Sequence, residues 1–232
     1  MKKFPFLKEK GHVISIVGAG GKTTLLYALA AIFTRNGART IVTTTTHIFR
    51  PDHNLWAKNP DEVQKLWNQG TYAVVGRPAE NGKLKSLPEQ ELNALMKMAD
   101  IVLIEADGAK RKPCKVPAGH EPVIVDACDI VIGVMGMDAW GCPIGEVCFR
   151  TEETVSLLHA KETDLLTTEM MAEILASEKG TRKNVGGREY YVVLNQCDTQ
   201  ERQKAADEIC RKLYARGIPK SICISLEKEG FR

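Results

Sequence analysis

Short, continuously apolar stretches alternate along the chain with segments of helical periodicity. A polar-free run of strand length is typical of a strand buried on both faces, whereas apolar residues spaced three and four apart indicate an amphipathic helix. The apolar runs predict strands at 13–17, 40–45, 72–75, 101–104, 130–134, 190–194 and 221–224. The helical periods predict helices at 24–33, 61–69, 88–99, 151–160, 167–176 and 200–216.

This alternation predicts an α/β fold with a doubly wound, mostly parallel sheet and helices on both faces. At 232 residues the chain has the length of one large domain, so we expect a single nucleotide-binding domain over 1–232. The stretches 77–87 and 179–188, rich in glycine and charge, predict loops. In such sheets ligands bind at the carboxyl ends of the strands, so the residues that follow each strand are the candidates for function.

Composition narrows the functional classes. Hydrophobic residues make up 44% and charged residues 26%, which is typical of a globular protein. A net charge of +3 does not favour a nucleic acid or a membrane as a partner. None of the seven cysteines forms a C-x-x-C pair, so neither a disulfide framework nor an ordinary zinc site is expected. Reduced thiols, and the lack of an apolar run of membrane-spanning length, predict a cytoplasmic protein.

A glycine-rich loop between the first strand and the first helix reads G-A-G-G-K-T-T. Its members are Gly18, Ala19, Gly20, Gly21, Lys22, Thr23 and Thr24. The loop is a shortened P-loop, whose backbone N–H groups and following helix N-terminus can hold phosphates. Lys22 would reach the β- and γ-phosphates, the Thr23 hydroxyl would ligate Mg²⁺, and Thr24 would contact the α-phosphate. A plain turn explains the glycines but not Lys-Thr-Thr, so a fold of the P-loop NTPase type with bound nucleotide and Mg²⁺ is predicted.

Two other strand ends carry polar side chains. Glu105 and Asp107 follow the strand at 101–104, where a P-loop enzyme needs carboxylates for Mg²⁺ and the attacking water. With Lys22 they form the predicted catalytic set. Thr45, at the end of a threonine-rich strand, joins Thr23, Glu105 and Asp107 as a predicted metal ligand, although β-propensity alone also explains these threonines. For His47 the sequence leaves three roles open, namely a general acid, a metal ligand or a structural residue.

The sequence N-Q-x-D follows the strand at 190–194 and predicts a base-reading loop. Asp198 would accept hydrogen bonds from guanine and Asn195 would brace the loop, although Gln196 replaces the lysine of the usual N-K-x-D pattern. The residues at 225–230 lie where GTPases place a second loop over the guanine. These features favour GTP over ATP. The alternative is that Asp198 is an ordinary helix N-cap.

A basic loop follows the acidic strand end. It carries Lys110, Arg111, Lys112 and Lys115, and three prolines stiffen it. Such a loop beside a nucleotide site indicates a second anion, such as a phosphorylated substrate or the pyrophosphate of a cofactor. The alternative is a solvated surface loop.

The motifs G-A-G-G-K-T-T, T-T-T-T-H-I, E-A-D-G-A-K-x-x-P-x-K-x-P-x-x-H-E-P-V-I and N-Q-x-D occur in this order. With them the chain resembles, from about residue 11 to 230, the YqeC-type accessory proteins of selenium-dependent molybdenum hydroxylases. The resemblance implies a nucleotide-binding accessory factor whose partner is a molybdenum hydroxylase or a selenium/molybdenum cofactor intermediate. More distantly, the chain is similar to the nickel-delivery GTPases of hydrogenase and urease maturation, but it lacks their His-rich and Cys-Pro-His motifs.

Three functions follow from these observations. The first is a Mg²⁺-dependent GTPase that couples hydrolysis to maturation of such an enzyme. The second is a P-loop kinase or transferase that passes the γ-phosphate to a small anionic acceptor held by Lys110, Arg111 and Lys115. The third is a non-enzymatic nucleotide sensor. Analogy with GTPases of this type also suggests a homodimer.

Overall fold

The computed structural model describes residues 4–8, 11–51 and 54–226, so the part of the second guanine loop at 227–230 lies outside the described residues. The strands are β1 (His12–Gly18), β2 (Thr40–Thr44), β3 (His47–Phe49), β4 (Trp56–Ala57), β5 (Ala73–Val75), β6 (Arg77–Pro78), β7 (Lys83–Lys85), β8 (Ile101–Glu105), β9 (Cys114–Lys115), β10 (Ile130–Gly136), β11 (Cys148–Phe149), β12 (Glu189–Asn195) and β13 (Ser221–Cys223). The helices are α1 (Lys22–Arg35), α2 (Pro60–Asn68), α3 (Glu89–Met98), α4 (Ile144–Val147), α5 (Thr151–Leu158), α6 (Thr168–Ala176) and α7 (Gln200–Ala215). Every strand and helix predicted from the pattern is present, with its ends within two residues of the prediction.

An eight-stranded sheet of parallel strands forms the centre of the molecule, in the order β13-β12-β10-β1-β8-β2-β5-β4. This confirms the predicted fold class. β1 lies between β8 and β10, with Ile16 opposite Glu105 and Gly18 opposite Val134. The chain order reverses at β1, and such a switch point opens a crevice at the carboxyl ends of the strands. The P-loop leaves β1 at this crevice.

Helices cover both faces of the sheet because the side chains of each strand alternate between them. Along β8, Ile101 and Leu103 pack in the cluster that contains the apolar face of α1, whereas Val102 and Ile104 pack in the cluster that contains α2 and α3. Burying each such side chain stabilises the fold by about 1.5–3 kcal/mol. β12 divides in the same way between α1 on one face and α6 with α7 on the other. Among the described residues, no helix has both the length and the apolar character needed to cross a membrane.

The loop predicted at 77–87 is instead an antiparallel hairpin, and this part of the prediction is wrong. β6 and β7 pair with each other, and β7 also pairs with β3, which makes a small three-stranded sheet. Asn81 and Gly82 have φ angles of 55° and 67°, the left-handed conformation of a tight hairpin turn. Leu84 has no exposed surface and anchors the hairpin to the core around α1. The small sheet forms one wall of the candidate site.

Candidate functional site

The P-loop is pressed against the ends of two strands of the sheet. Gly20 and Gly21 have φ angles of 80° and 109°. A Cβ atom on Gly20 would lie 2.1 Å from the backbone nitrogen of Gly136, and one on Gly21 would lie 2.3 Å from Nδ2 of Asn195. Both the backbone conformation and the close approach therefore require glycine. The sequence folds into this tight loop because neither position carries a side chain.

The loop delivers an uncapped helix end to the cleft. No side chain caps α1 at Gly21, and its first turn contains no acidic residue. The unpaired N–H groups and the partial positive charge of such a helix end attract anions. Lys22, Thr23 and Thr24 line the cleft at this point. Nζ of Lys22 is almost fully buried and donates a 2.8 Å hydrogen bond to the carbonyl oxygen of Gly18.

Glu105 lies directly beside the P-loop. The hydroxyl of Thr23 donates a 2.7 Å hydrogen bond to Oε2 of Glu105, and Nζ of Lys22 lies 4.0 Å from Oε1. Burial raises the pKa of the Glu105 carboxyl, while the charge of Lys22 and the hydrogen bond from Thr23 oppose that rise. A hydroxyl and a carboxylate at this place fit Mg²⁺, which prefers oxygen ligands and completes its shell with phosphates and water. In the described part of the chain no three His, Cys, Asp or Glu side chains group as a metal site.

Asp107 belongs to a buried ion network behind the P-loop. Its Oδ1 lies 3.2 Å from Nζ of Lys22, and its Oδ2 lies 3.1 Å from Nζ of Lys115. Oδ2 also accepts a 3.1 Å hydrogen bond from the backbone nitrogen of Gly18. Asp107 is 1% exposed and does not line the cleft. Its contacts hold the P-loop and its lysine in place, and its carboxylate is separated from the cleft in which the predicted metal ion and attacking water would lie.

The network continues through Lys115 to Glu121. Nζ of Lys115 lies 2.9 Å from Oε2 of Glu121, and Nε of Arg150 lies 3.3 Å from the same oxygen. Burial tends to raise the pKa of Glu121, but the hydrogen bond and charge of Lys115 outweigh it and lower that pKa. The ammonium group of Lys115 has no exposed surface, so it cannot hold an acceptor in the cleft as the transferase hypothesis expects. Lys115 orders the interior instead.

The cleft itself has a volume of about 1390 Å³ and three walls. One wall is the P-loop with Glu105, the second is formed by β3 and the β6–β7 hairpin, and the third by the basic loop together with Phe149 and Arg150. Asp138 and Gln196 also line it, and burial raises the pKa of the Asp138 carboxyl. Sequence analysis missed Asp138, although it lies two residues beyond the end of β10, and Glu105 is the last residue of β8.

The two residues of the predicted base-reading loop have different surroundings. Nδ2 of Asn195 donates a 2.9 Å hydrogen bond to the carbonyl oxygen of Gly20, and its Oδ1 accepts a 3.3 Å bond from the backbone nitrogen of Leu226. Asn195 thus joins the P-loop to the segment after β13. Asp198 accepts a hydrogen bond from the hydroxyl of Ser225, and neither Asn195 nor Asp198 lines the cleft.

The alternative that Asp198 caps a helix is wrong. The N-cap of α7 is Thr199, whose side chain accepts a 3.2 Å hydrogen bond from the backbone nitrogen of Arg202. Asp198 is therefore not needed to begin α7.

Thr45 lies outside the lining of the cleft. Its hydroxyl donates a 2.7 Å hydrogen bond to the carbonyl oxygen of Val123, while its neighbours Thr46 and His47 do line the cleft. The predicted metal set is thus divided in space: Thr23 and Glu105 meet at the P-loop, Asp107 lies behind it, and Thr45 is directed elsewhere.

Comparison with known proteins places the chain in a family. The family model described as YqeC protein matches residues 14–152. The chain belongs to the YqeC family. The YqeC protein of Escherichia coli (strain K12), described as uncharacterized, is 31% identical over 186 residues, which cover 77% of this chain and 73% of that protein. The stretch matched by the family model includes the P-loop and the ion network but ends before Asn195 and Asp198.

Solved structures that resemble this YqeC-family chain share low identity with it. HypB from Helicobacter pylori, in complex with nickel, matches with a TM-score of 0.44 at 13% identity over 97% of this chain and 84% of that one. The hydrogenase maturation factor HypB from Archaeoglobus fulgidus has a TM-score of 0.41 at 13% identity, covering 98% and 86%. A GTPase in apo form from Pyrococcus abyssi has a TM-score of 0.38 at 11% identity, covering 94% and 92%.

Proposed function

We propose that this chain binds GTP with Mg²⁺ and hydrolyses it as an accessory protein in the maturation of selenium-dependent molybdenum hydroxylases. The observation that carries the nucleotide site is the uncapped N-terminus of α1, which meets Lys22 and the Thr23–Glu105 pair in one cleft. The helix dipole and the ammonium group there suit the phosphate chain of a nucleotide, and the oxygen ligands suit its metal ion.

Each residue has a distinct task in this proposal. The ammonium group of Lys22 leaves the carbonyl oxygen of Gly18 and binds the β- and γ-phosphates, while Asp107 and Asn195 keep the loop in shape. Thr23 and Glu105 hold Mg²⁺, which neutralises phosphate charge when bound. Glu105 also orients a water molecule. That water attacks the γ-phosphorus, the bond to the β–γ bridging oxygen breaks, and GDP, phosphate and one proton are released.

Sequence observations support the choice of GTP and the biological role. The N-Q-x-D order after β12 favours guanine, and the interaction of Asn195 with the carbonyl oxygen of Gly20 supports a brace between that loop and the P-loop. Membership of the YqeC family supports the accessory role. A non-enzymatic sensor would share the binding site but not the turnover.

Binding is tested first, with labelled GTP and ATP, Mg²⁺ and unlabelled competitors. We expect Mg²⁺-dependent binding that prefers GTP, a loss of at least tenfold in affinity for Lys22→Ala, and a loss of the GTP preference for Asp198→Ala. Lys97→Ala, a charge removal on the exposed side of α3, is the matched control and should bind as the wild type does. Unchanged affinity in Lys22→Ala would sink the P-loop assignment, and a preference for ATP would overturn the base-reading role of Asp198.

Turnover and pathway need separate measurements. Glu105→Gln should retain nucleotide binding, but its rate of phosphate release should fall at least tenfold. If the wild type binds the nucleotide tightly and releases no phosphate, even with the partner hydroxylase added, the protein is a sensor. In cells that lack the gene, activity of a selenium-dependent molybdenum hydroxylase should fall, and the wild-type gene but not Lys22→Ala should restore it. Full hydroxylase activity without the gene contradicts the accessory role.

A further inference from the structure

Four cationic side chains line the cleft on its two walls other than the P-loop wall. Lys83 and Lys85 belong to β7, and Lys110 and Arg111 belong to the basic loop. Within the part of the chain that the structure describes, none of the four has a carboxylate in ion-pair contact. Unneutralised like charges that converge on one cavity repel each other, and an anion bound between them relieves that repulsion.

The basic loop holds its cations in a costly backbone conformation. Lys110 and Arg111 are consecutive residues with φ angles of 45° and 63°, and Arg150 beside them has a φ angle of 68°. Left-handed conformations cost energy in residues other than glycine, and they concentrate at functional sites where the surrounding structure imposes them. Here the two residues are the centre of a tight turn, which a 2.9 Å hydrogen bond from the backbone nitrogen of Lys112 to the carbonyl oxygen of Ala109 closes.

An exposed aromatic ring joins the two basic walls. The ammonium nitrogen of Lys83 lies 5.1 Å from the ring centroid of Phe49, and the guanidinium carbon of Arg111 lies 5.2 Å from the same centroid. Phe49 is 48% exposed, and β3 pairs with β7 so that Phe49 is opposite Lys83 and His47 is opposite Lys85. The ring therefore keeps a cation from each wall near one point without neutralising either charge.

We propose that this end of the cleft binds a second small molecule through its phosphate or diphosphate group, which lies between Lys83 and Lys85 on one wall and Lys110 and Arg111 on the other. The proposal rests on the proposed function in one respect, namely that the P-loop end of the cleft belongs to the nucleotide. The cavity of about 1390 Å³ is larger than a typical single-ligand pocket of roughly 300–1,000 Å³, which leaves room for both.

A compact anion fits this cleft better than a nucleic acid does. Acidic side chains share the lining, namely Glu80, Glu105, Glu121 and Asp138. They would repel a phosphate backbone that runs through the cleft, whereas a single phosphate group can lie between the four cations and avoid them. The overall charge of +3 is also too small for a strong non-specific attraction to nucleic acid.

The test is calorimetric titration of the full-length protein with inorganic pyrophosphate in the presence of saturating GDP and Mg²⁺, which fill the P-loop. We expect pyrophosphate to bind under these conditions, and to bind at least tenfold more weakly to Lys110→Gln/Arg111→Gln and to Lys83→Gln/Lys85→Gln. The control Lys97→Gln/Lys204→Gln removes the same charge from exposed helix positions and should bind as the wild type does. GDP affinity should be unchanged in all three double variants, which shows that they are folded.

Each other outcome has a defined meaning. Pyrophosphate that is displaced by GDP, or lost in Lys22→Ala, binds only at the P-loop, and the second site is then refuted. Wall variants that bind as tightly as the wild type refute it as well. If a single-stranded RNA oligonucleotide binds more tightly than pyrophosphate and depends on the same four cations, a nucleic-acid site replaces the proposal. Should the protein bind neither GTP nor ATP, pyrophosphate binding that depends on the wall residues but not on Lys22 would still support the second site, so the two proposals fail separately.

Discussion

The carboxylate of Asp107 lies between two buried ammonium groups, and the substitution Asp107→Asn removes its charge while keeping its shape. Nζ of Lys22 and Nζ of Lys115 lie 3.2 and 3.1 Å from its two oxygens, so at an effective dielectric constant of ~20 each attraction is about 5 kcal/mol. Desolvation of the charges offsets much of this, and breaking a buried ion pair typically costs about 3–5 kcal/mol. We expect Asp107→Asn to lower the free energy of unfolding by that amount.

Urea denaturation measures the effect. With an m-value of about 1–3 kcal/mol per molar, the midpoint should fall by at least 1 M. Asp198→Asn is the control, since that carboxylate is 29% exposed and its change should cost less than about 1 kcal/mol. A loss below about 1 kcal/mol for Asp107→Asn would refute the reasoning.

Three further predictions concern other parts of the structure. Gly21→Ala places a Cβ 2.3 Å from Nδ2 of Asn195, at a residue whose φ angle is 109°. Thermal unfolding should therefore show that the free energy of unfolding falls by at least ~2 kcal/mol, and nucleotide binding should fail. A variant that is stable and still binds the nucleotide contradicts this expectation. The pKa of Glu121 is lowered from its ordinary 4.5, so its stabilising contribution is present above that pH and is lost as the pH falls below it. Between pH 6 and pH 3 the free energy of unfolding should therefore fall less steeply for Glu121→Gln than for the wild type. An equally steep fall in the two proteins argues against the network. The hydrogen bond with Cys197 is the largest of the causes that raise the pKa of the Cys223 thiol to about 12. Cys197→Ala removes that bond and should speed alkylation of Cys223 by iodoacetamide at pH 7.5 by at least tenfold, as followed by peptide mass spectrometry, and an unchanged rate contradicts that cause.

The central sheet was predictable because its strands are buried on both faces. Such strands are continuously apolar, and in this chain they alternate with amphipathic helices. The small sheet was missed because β6 and β7 are only two and three residues long and contain Arg, Lys and Pro. Asn81-Gly82 was nevertheless a signal for a hairpin turn, and an apolar residue at position 84, between two lysines, gives the alternation of a half-buried strand.

The candidate site was predictable where its residues are contiguous. The P-loop is one run of sequence, and Glu105 is recognisable because it ends a buried strand. The contact of Asp107 with Lys115 depends on how the basic loop folds back under the sheet, and local patterning carries no information on that. For the same reason the meeting of Arg111 with Phe49, which are 62 positions apart, follows only from the tertiary structure.

The position of β1 at the middle of the sheet affects how the protein can be synthesised. Its two neighbours, β8 and β10, are encoded much later, so β1 leaves the ribosome before either of the strands that pair with it. At roughly 5–20 residues per second, translation from Gly18 to Ile130 takes about 6–22 s. During that interval Ile14 and Ile16, which have no exposed surface in the folded protein, remain available to chaperones or to aggregation. The P-loop thus cannot take its final form until β10 and β12, whose ends it contacts, have been made.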